Sequence, residues 1–208
     1  WSSDVCSSDL ALTGDPVPDV SRRAVLVLCA DNGVVAQGVS QTDASVTRAV
    51  LENLTARRTS VCRMAAAAHC DVMPVDMGIA GAPVPGAADC RIAAGTADFT
   101  TGPAMTRAQA VQAIAAGIAL VRAQKQSGAQ LLATGEMGIG NTTTSSAVAS
   151  VLLGRPVAEM TGRGAGLSDA GLQRKIDAIE RGIARNHPDA ADPLGVLAAL
   201  GGFDIAGL

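Results

Sequence analysis

Three acidic side chains stand at the ends of short apolar runs in this 208-residue chain, namely Asp31, Asp76 and Glu136. Each run has the length of a strand, and the carboxyl ends of parallel strands lie along one edge of a sheet. Carboxylates stabilise a developing oxocarbenium ion, and a glutamate can serve as a general base. The acids therefore favour chemistry on a sugar phosphate or a nucleotide, although Asp31 could equally cap the turn that follows it.

The stretch around Glu136 carries the strongest signal for anion binding. The apolar run Leu131–Ala133 suits a buried strand. It leads into three glycines and a hydroxyl cluster, namely Gly135, Gly138, Gly140 and Thr142–Ser146. Such a loop presents backbone N–H groups at the positive end of the following helix, which suits a phosphate. A plain strand-to-helix turn is the alternative, because the spacing is neither a Walker loop nor a clean G-x-G-x-x-G.

A second Gly-rich loop, Thr161–Leu167, precedes a helix predicted from Ser168. Lys175 lies within the apolar stripe of that helix, which we predict from Leu172, Ile176, Ile179 and Ile183. A lysine on the inward face of a helix after such a loop can reach a phosphate. The alternative is that its aliphatic part follows the stripe and its ammonium group reaches solvent.

The elements that must position these residues alternate between strand-like runs and helical periodicity, which predicts an α/β fold with a parallel sheet. Val46, Val50 and Leu54 predict a helix over 42–57. Thr106 and Gln109 form a capping box before a longer helix. The stripe expected to be buried in that longer helix comprises Val111, Ile114, Ile118 and Val121. We expect the chain to end on a Gly-Gly loop over 201–208, with no further element.

Composition excludes several classes of function. The chain contains one Trp, two Phe and no Tyr, its net charge is −3, and no basic run occurs, so nucleic acid is not an expected partner. No stretch is long and apolar enough to cross a bilayer. Five cysteines without a C-x-x-C pair predict reduced thiols in a cytoplasmic protein and no metal site, with Cys29 in the core. Residues 1–10, WSSDVCSSDL, differ from the rest, and we expect a non-native leader.

The motif GEMGIGNTT at Gly135–Thr143 resembles the signature of the nicotinate-nucleotide–dimethylbenzimidazole phosphoribosyltransferases of cobalamin biosynthesis. Supporting similarities are ADNGVVAQGVS at Ala30–Ser40, VDMGIAG at Val75–Gly81, and TGRGAGL at Thr161–Leu167 followed by Lys175. The resemblance implies a three-layer Rossmann-like domain over 11–208, part of a smaller helical domain, a homodimer, and no metal or cofactor. It also implies that residues 11–208 are incomplete at their C-terminus.

The implied reaction moves the phosphoribosyl group of nicotinate mononucleotide to 5,6-dimethylbenzimidazole and gives α-ribazole 5′-phosphate and nicotinate. A benzimidazole nitrogen attacks the anomeric carbon as nicotinate leaves. The resemblance places substrate contacts at ten positions, which are Ser40, Asp76, Gly135, Glu136, Gly138, Asn141, Thr142, Gly162, Gly164 and Lys175.

Two departures from the family pattern matter. Thr42-Asp43-Ala44 stands where relatives commonly have Pro and Gln, near the expected benzimidazole contacts. The family's general-base glutamate is expected beyond Leu208, so Glu136 is expected to be a secondary acidic group and this chain to turn over poorly. The alternatives are a Rossmann-type oxidoreductase, which would need a dinucleotide fingerprint after the first strand, and a non-catalytic nucleotide-binding module.

Overall fold

The computed structural model describes residues 11, 13–15 and 17–208. The leader predicted for residues 1–10 lies outside these described residues. Within the described ranges, no helix is long and apolar enough to cross a membrane.

Four parallel strands form one sheet in the order β3-β2-β1-β4, which confirms the predicted α/β fold with a parallel sheet. The strands are β1 (Arg23–Ala30), β2 (Cys70–Gly78), β3 (Ala88–Asp89) and β4 (Leu131–Met137). β1 is buried along almost its whole length, as its continuous apolar run predicts. β1 and β2 therefore form the centre of the sheet, with β3 and β4 at its two sides.

The helices of the described residues are α1 (Ser45–Thr55), α2 (Ser60–Ala67), α3 (Arg107–Gln126), α4 (Asn141–Leu153), α5 (Val157–Met160), α6 (Asp169–Asn186), α7 (Pro193–Leu200) and α8 (Phe203–Gly207). A short 3₁₀ helix, Gly33–Gln37, follows β1. The capping box of Thr106 and Gln109 is present at the start of α3, and Ser168 caps α6. Local capping chemistry thus fixes these helix starts as the sequence predicts.

Side chains on the two faces of β1 enter separate cores. Leu26 and Leu28 pack with residues of α3, α7 and α8 on one face, whereas Val25 and Val27 pack with α1 and α2 on the other. Cys29 is fully buried, and burial raises the pKa of its thiol to about 12, so the predicted core cysteine stays a neutral thiol. A third core joins α4, α6 and α7, beside the sheet and the helices that cover its two faces.

The predicted buried stripe of α3 is wrong by one position. Its four members are 36–49 % exposed, namely Val111, Ile114, Ile118 and Val121. The buried face instead contains Ala110, Ala113, Gly117 and Leu120. Small residues face inward because α3 approaches α8 closely: a Cβ at Gly117 would collide with the carbonyl oxygen of Gly207. Close helix packing therefore decides which stripe is buried.

Two further expectations need correction. β4 begins as an exposed strand, with Leu131 48 % exposed, because only its β1 side carries a hydrogen-bonded neighbour among the described residues. The predicted terminal loop over 201–208 contains the helix α8, whose Phe203 and Asp204 are buried. This last helix brings a carboxylate beneath the strand ends.

Candidate functional site

The carboxyl ends of the three longer strands lie level with one another. Cys29 of β1 pairs with Asp76 of β2 on one side and with Met137 of β4 on the other. The residues that follow each strand therefore meet at one edge of the sheet, as predicted from the three acidic side chains. Ligand sites of α/β proteins lie at this edge.

The glycines after β4 serve close packing. A Cβ at Gly138 would collide with the carbonyl oxygen of Ala30 and with the carboxylate of Asp204. Gly140 has a φ of 92° and would bring a Cβ to within 2.8 Å of Val35. The loop is therefore wedged against β1, the 3₁₀ helix and α8, and only glycine fits at these two positions.

A cavity of about 280 Å³ opens at this edge of the sheet. Its walls come from three segments: 39–41 before α1, 137–142 after β4, and the Gly-rich loop before α6. Five of the predicted site residues line it, namely Ser40, Gly138, Asn141, Thr142 and Gly164. The side chain of Gln41 donates to the carbonyl oxygen of Gly166 at 2.5 Å and joins two of these walls.

Lys175 is the buried cation beside this cavity. The residue is 1 % exposed, and its Nζ donates to Thr142 Oγ1 at 2.8 Å and to the carbonyl oxygen of Gly162 at 3.1 Å. Burial lowers the pKa of this ammonium group. No carboxylate of the described residues forms an ion pair with it. Lys175 lies on the buried face of α6 with Ala178 and Ile179, so the alternative of a solvent-reaching lysine is wrong. The other members of the predicted stripe are only half-buried, namely Leu172, Ile176 and Ile183.

Backbone amides of the loop after β4 are already engaged. Five amides of residues 139–144 donate to protein oxygens, namely those of Ile139, Asn141, Thr142, Thr143 and Thr144. The acceptors are the hydroxyl of Thr47 and oxygen atoms of Gly138, Gly140 and Asn141. An anion at this helix start would compete with these bonds, so Lys175 is the better-placed donor for a phosphate.

Glu136 lies at the end of β4 and is half-buried. Its Oε2 accepts a hydrogen bond from the side-chain amide of Asn141, a residue that lines the cavity. Glu136 is therefore linked to the cavity through Asn141.

Two predicted contacts have no support in this geometry. Asp76 is 2 % exposed, its Oδ2 is paired with Arg91 Nε at 2.8 Å, and its Oδ1 accepts from the amides of Gly78 and Ile79. It anchors the loop after β2 and does not line the cavity. Gly135 lies within β4 and lines a separate groove beside α1 and α2, to which residues 134–137 all contribute, and it does not line the cavity.

A buried polar pair below the loop was not predicted from the sequence. Asn32 Nδ2 donates to Asp204 Oδ2 at 3.1 Å, and both residues are at most 2 % exposed. Burial raises the pKa of Asp204 to about 6, and the nearby Glu136 charge contributes. The only sequence signal was a polar Asn beside Asp31 in the turn after β1, because Asp204 lies 172 residues away.

These features define an α/β protein with a Gly-rich cavity and a buried lysine at the carboxyl edge of a parallel sheet, which is an arrangement suited to phosphate-bearing ligands. Residues 4–208 match the sequence profile of a family described as "Phosphoribosyltransferase". The chain belongs to this phosphoribosyltransferase family.

Curated relatives of the chain are named as phosphoribosyltransferases. The chain is 46 % identical over 198 residues to the nicotinate-nucleotide–dimethylbenzimidazole phosphoribosyltransferase of Ruminiclostridium cellulolyticum, and 48 % identical over 200 residues to that of Roseiflexus castenholzii. Each alignment covers 95 % of this chain and 56 % of the relative. The chain thus spans little more than half the length of these relatives.

A solved structure described as CobT from Thermus thermophilus has the same fold, with a TM-score of 0.91 and 40 % identity. The similarity covers 98 % of this chain and 62 % of that one. These comparisons do not favour the oxidoreductase or the non-catalytic nucleotide-binding module.

Proposed function

We propose that the cavity binds nicotinate mononucleotide and that the protein transfers its phosphoribosyl group to 5,6-dimethylbenzimidazole. In this reaction a bond forms between a benzimidazole nitrogen and the ribose anomeric carbon, the bond to nicotinate breaks, and the benzimidazole gives up its N–H proton to the general base. The product is α-ribazole 5′-phosphate. The buried, carboxylate-free Lys175 beside the cavity carries the proposal, together with the family and the names of the relatives.

The phosphate is proposed to bind at Lys175. Its ammonium group already lies between Thr142 Oγ1 and the Gly162 carbonyl oxygen, and a Cβ at Gly164 would be 3.7 Å from Nζ. The absence of a side chain at Gly164 therefore leaves an anion room to approach the cation. A phosphate would replace a neutral hydrogen-bond partner with a charged one, which strengthens the contact.

The remaining walls suit the two aromatic rings of the reaction. Val39, Met137, Ile139 and Leu167 contribute apolar surface to the cavity. Planar heterocycles gain binding energy from such surface, while a few polar groups fix their orientation. Ser40 lies on the same wall as Val39, and we assign it to the benzimidazole side.

Glu136 is proposed to orient the nucleotide through Asn141. The hydrogen bond from Asn141 occupies Oε2 of Glu136, so the carboxylate holds the amide in place at the cavity wall. A negative charge so close to the reacting sugar would also stabilise an oxocarbenium-like transition state. This role agrees with the expectation that Glu136 is a secondary acidic group and not the general base.

Titration calorimetry with nicotinate mononucleotide tests the proposal. We expect Lys175→Met to weaken binding by about 10- to 100-fold, since a hydrogen bond to a charged group is lost. Lys125→Met is the matched control, because Lys125 is the other lysine of the chain and is exposed near the end of α3. Equal affinities for the wild type and Lys175→Met, or tight binding of NAD in place of the mononucleotide, would contradict the proposal.

The homodimer and the cytoplasmic location are also part of the proposal. The family resemblance supports the homodimer, and the free cysteines support the location. Sedimentation velocity of the purified chain tests the dimer, and fractionation of the source cells tests the location. A monomer at all concentrations would remove the homodimer from the proposal.

A further inference from the structure

We propose that Thr47 is a positioning residue that fixes the Gly-rich loop at Ile139 and so sets the shape of the cavity. Thr47 lies in α1, is fully buried, and does not itself line the cavity. Its Oγ1 accepts a hydrogen bond from the backbone amide of Ile139 at 3.0 Å. The inference rests on the proposed function only for the identity of the ligand.

The bond joins two opposite walls of the cavity. Residues 39–41 form one wall and lead directly into α1, which carries Thr47. Ile139 belongs to the other wall, between the two wedged residues Gly138 and Gly140. A glycine on each side leaves the loop without side-chain contacts of its own there. The Thr47 hydroxyl therefore supplies a directional contact that packing alone does not.

Asp31 is the acidic group beside the Thr47 hydroxyl. Because Oγ1 accepts from Ile139, its hydrogen remains to be donated to a neighbouring acceptor. The Asp31 carboxylate is close enough for the Thr47 hydroxyl to lower its pKa. Its Oδ2 accepts from the Ala80 amide at 2.9 Å, while its Oδ1 is buried without a hydrogen-bond partner among the described residues and is free to receive the Thr47 hydrogen. Burial raises the pKa of Asp31, whereas the Ala80 amide and the Thr47 hydroxyl act to lower it. The observed bond joins Thr47 to Ile139, and the inference extends it to Asp31.

The assignment gives Asp31 a role that differs from both interpretations of the sequence. It neither lines the cavity nor merely caps its own turn. Instead, the acid after β1 holds a hydroxyl of α1, which holds the loop after β4. Three segments that are distant in the chain thereby fix one wall of the site.

Thr47→Val tests the inference, because it keeps the shape of the side chain and removes the acceptor. We expect the mononucleotide to bind about tenfold more weakly to Thr47→Val, and Thr47→Ser to restore the affinity to within about twofold of the wild type. Ser150→Ala is the control, since Ser150 Oγ is a buried hydroxyl of α4 that has no hydrogen-bond partner among the described residues. We expect no loss of affinity in that control.

Hydrogen exchange measured by NMR supplies a readout that needs no ligand. In the wild type we expect the Ile139 amide to be protected, and in Thr47→Val to exchange about tenfold faster while the amides of Ala147–Leu153 do not change. The wild-type measurement stands even where the valine variant does not fold. An unprotected Ile139 amide in the wild type overturns the inference.

The outcomes separate this inference from the proposed function. A wild type that does not bind the mononucleotide, but in which Thr47→Val still releases the Ile139 amide, refutes the proposed ligand and supports the positioning role. A valine variant that is less stable but binds the mononucleotide normally and keeps Ile139 protected overturns the positioning role.

Discussion

Asp204→Asn offers the sharpest test of the buried polar pair beneath the Gly-rich loop. The pKa of Asp204 rises from 3.8 to about 6 because its carboxyl is buried in α8. The folded protein therefore holds this proton more tightly than the unfolded chain. Its stabilising contribution is complete below the unfolded pKa and is lost as the pH rises through the folded pKa. The full loss is about 3 kcal/mol at about 1.36 kcal/mol per pKa unit.

The substitution can be accommodated with the same number of hydrogen bonds. In the wild type, Asn32 Nδ2 donates to Asp204 Oδ2, the Ile205 amide donates to Oδ1, and Asn32 Oδ1 has no partner among the described residues. If the Asn32 amide turns over, its Oδ1 accepts from the new amide, and the Ile205 bond is kept. Asp204→Asn then differs from the wild type only in having a side chain at this position that cannot ionise.

Urea denaturation at about pH 4.5 and about pH 7.5 measures the effect. We expect the unfolding free energy of Asp204→Asn, relative to the wild type, to increase by about 2 kcal/mol between the two pH values. Titrating groups that do not interact with Asp204 are common to both proteins and cancel in this difference. Asp71→Asn, at an exposed position of β2, gives the baseline. If the unfolding free energies of Asp204→Asn and the wild type differ by the same amount at both pH values, the raised pKa assigned to the buried Asp204 is refuted.

Three further predictions concern packing, a buried ion pair and the candidate ligand site. Gly117→Ala should destabilise the protein by about 1–3 kcal/mol in urea denaturation, because the new methyl group collides with the carbonyl oxygen of Gly207, and Gly102→Ala, which has open space, should not. Arg91→Met should cost about 3 kcal/mol, since it leaves the buried Asp76 carboxylate without its cation; an unchanged melting temperature would contradict this role. Because burial lowers the pKa of Lys175, the wild type should lose affinity for the mononucleotide as the pH rises, at pH values below those at which an ordinary lysine deprotonates. Calorimetry of Lys175→Met should show no such loss.

Local sequence determined the elements and their ends. The apolar run of β1, the capping box of Thr106 and Gln109, and the serine cap of α6 at Ser168 all depend on residues within a few positions of each other. Helical spacing also placed Lys175 within an apolar stripe, although it left open whether the ammonium group turns inward or reaches solvent. These features are predictable because each is decided by backbone geometry and by hydrogen bonds over one or two turns.

Tertiary structure decided what those elements face. Periodicity could not choose between the two stripes of α3, because the choice depends on the contact between Gly117 and Gly207. Periodicity also could not predict that Asp76 pairs with Arg91, or that Asp76 lies outside the cavity. An amphipathic spacing predicts a helix, but the neighbour that covers each face of the helix comes from elsewhere in the chain.

The candidate site shows the same division. The sequence supplied the cavity's Gly-rich loops and its lysine, whereas the contacts that hold the loop come from Thr47 and Asp204, residues with no local pattern to mark them. Thr47 is 92 residues from its partner Ile139, and Asp204 is 172 residues from Asn32. A buried hydrogen bond needs two groups at one point in space, and only the folded chain determines which distant groups meet there.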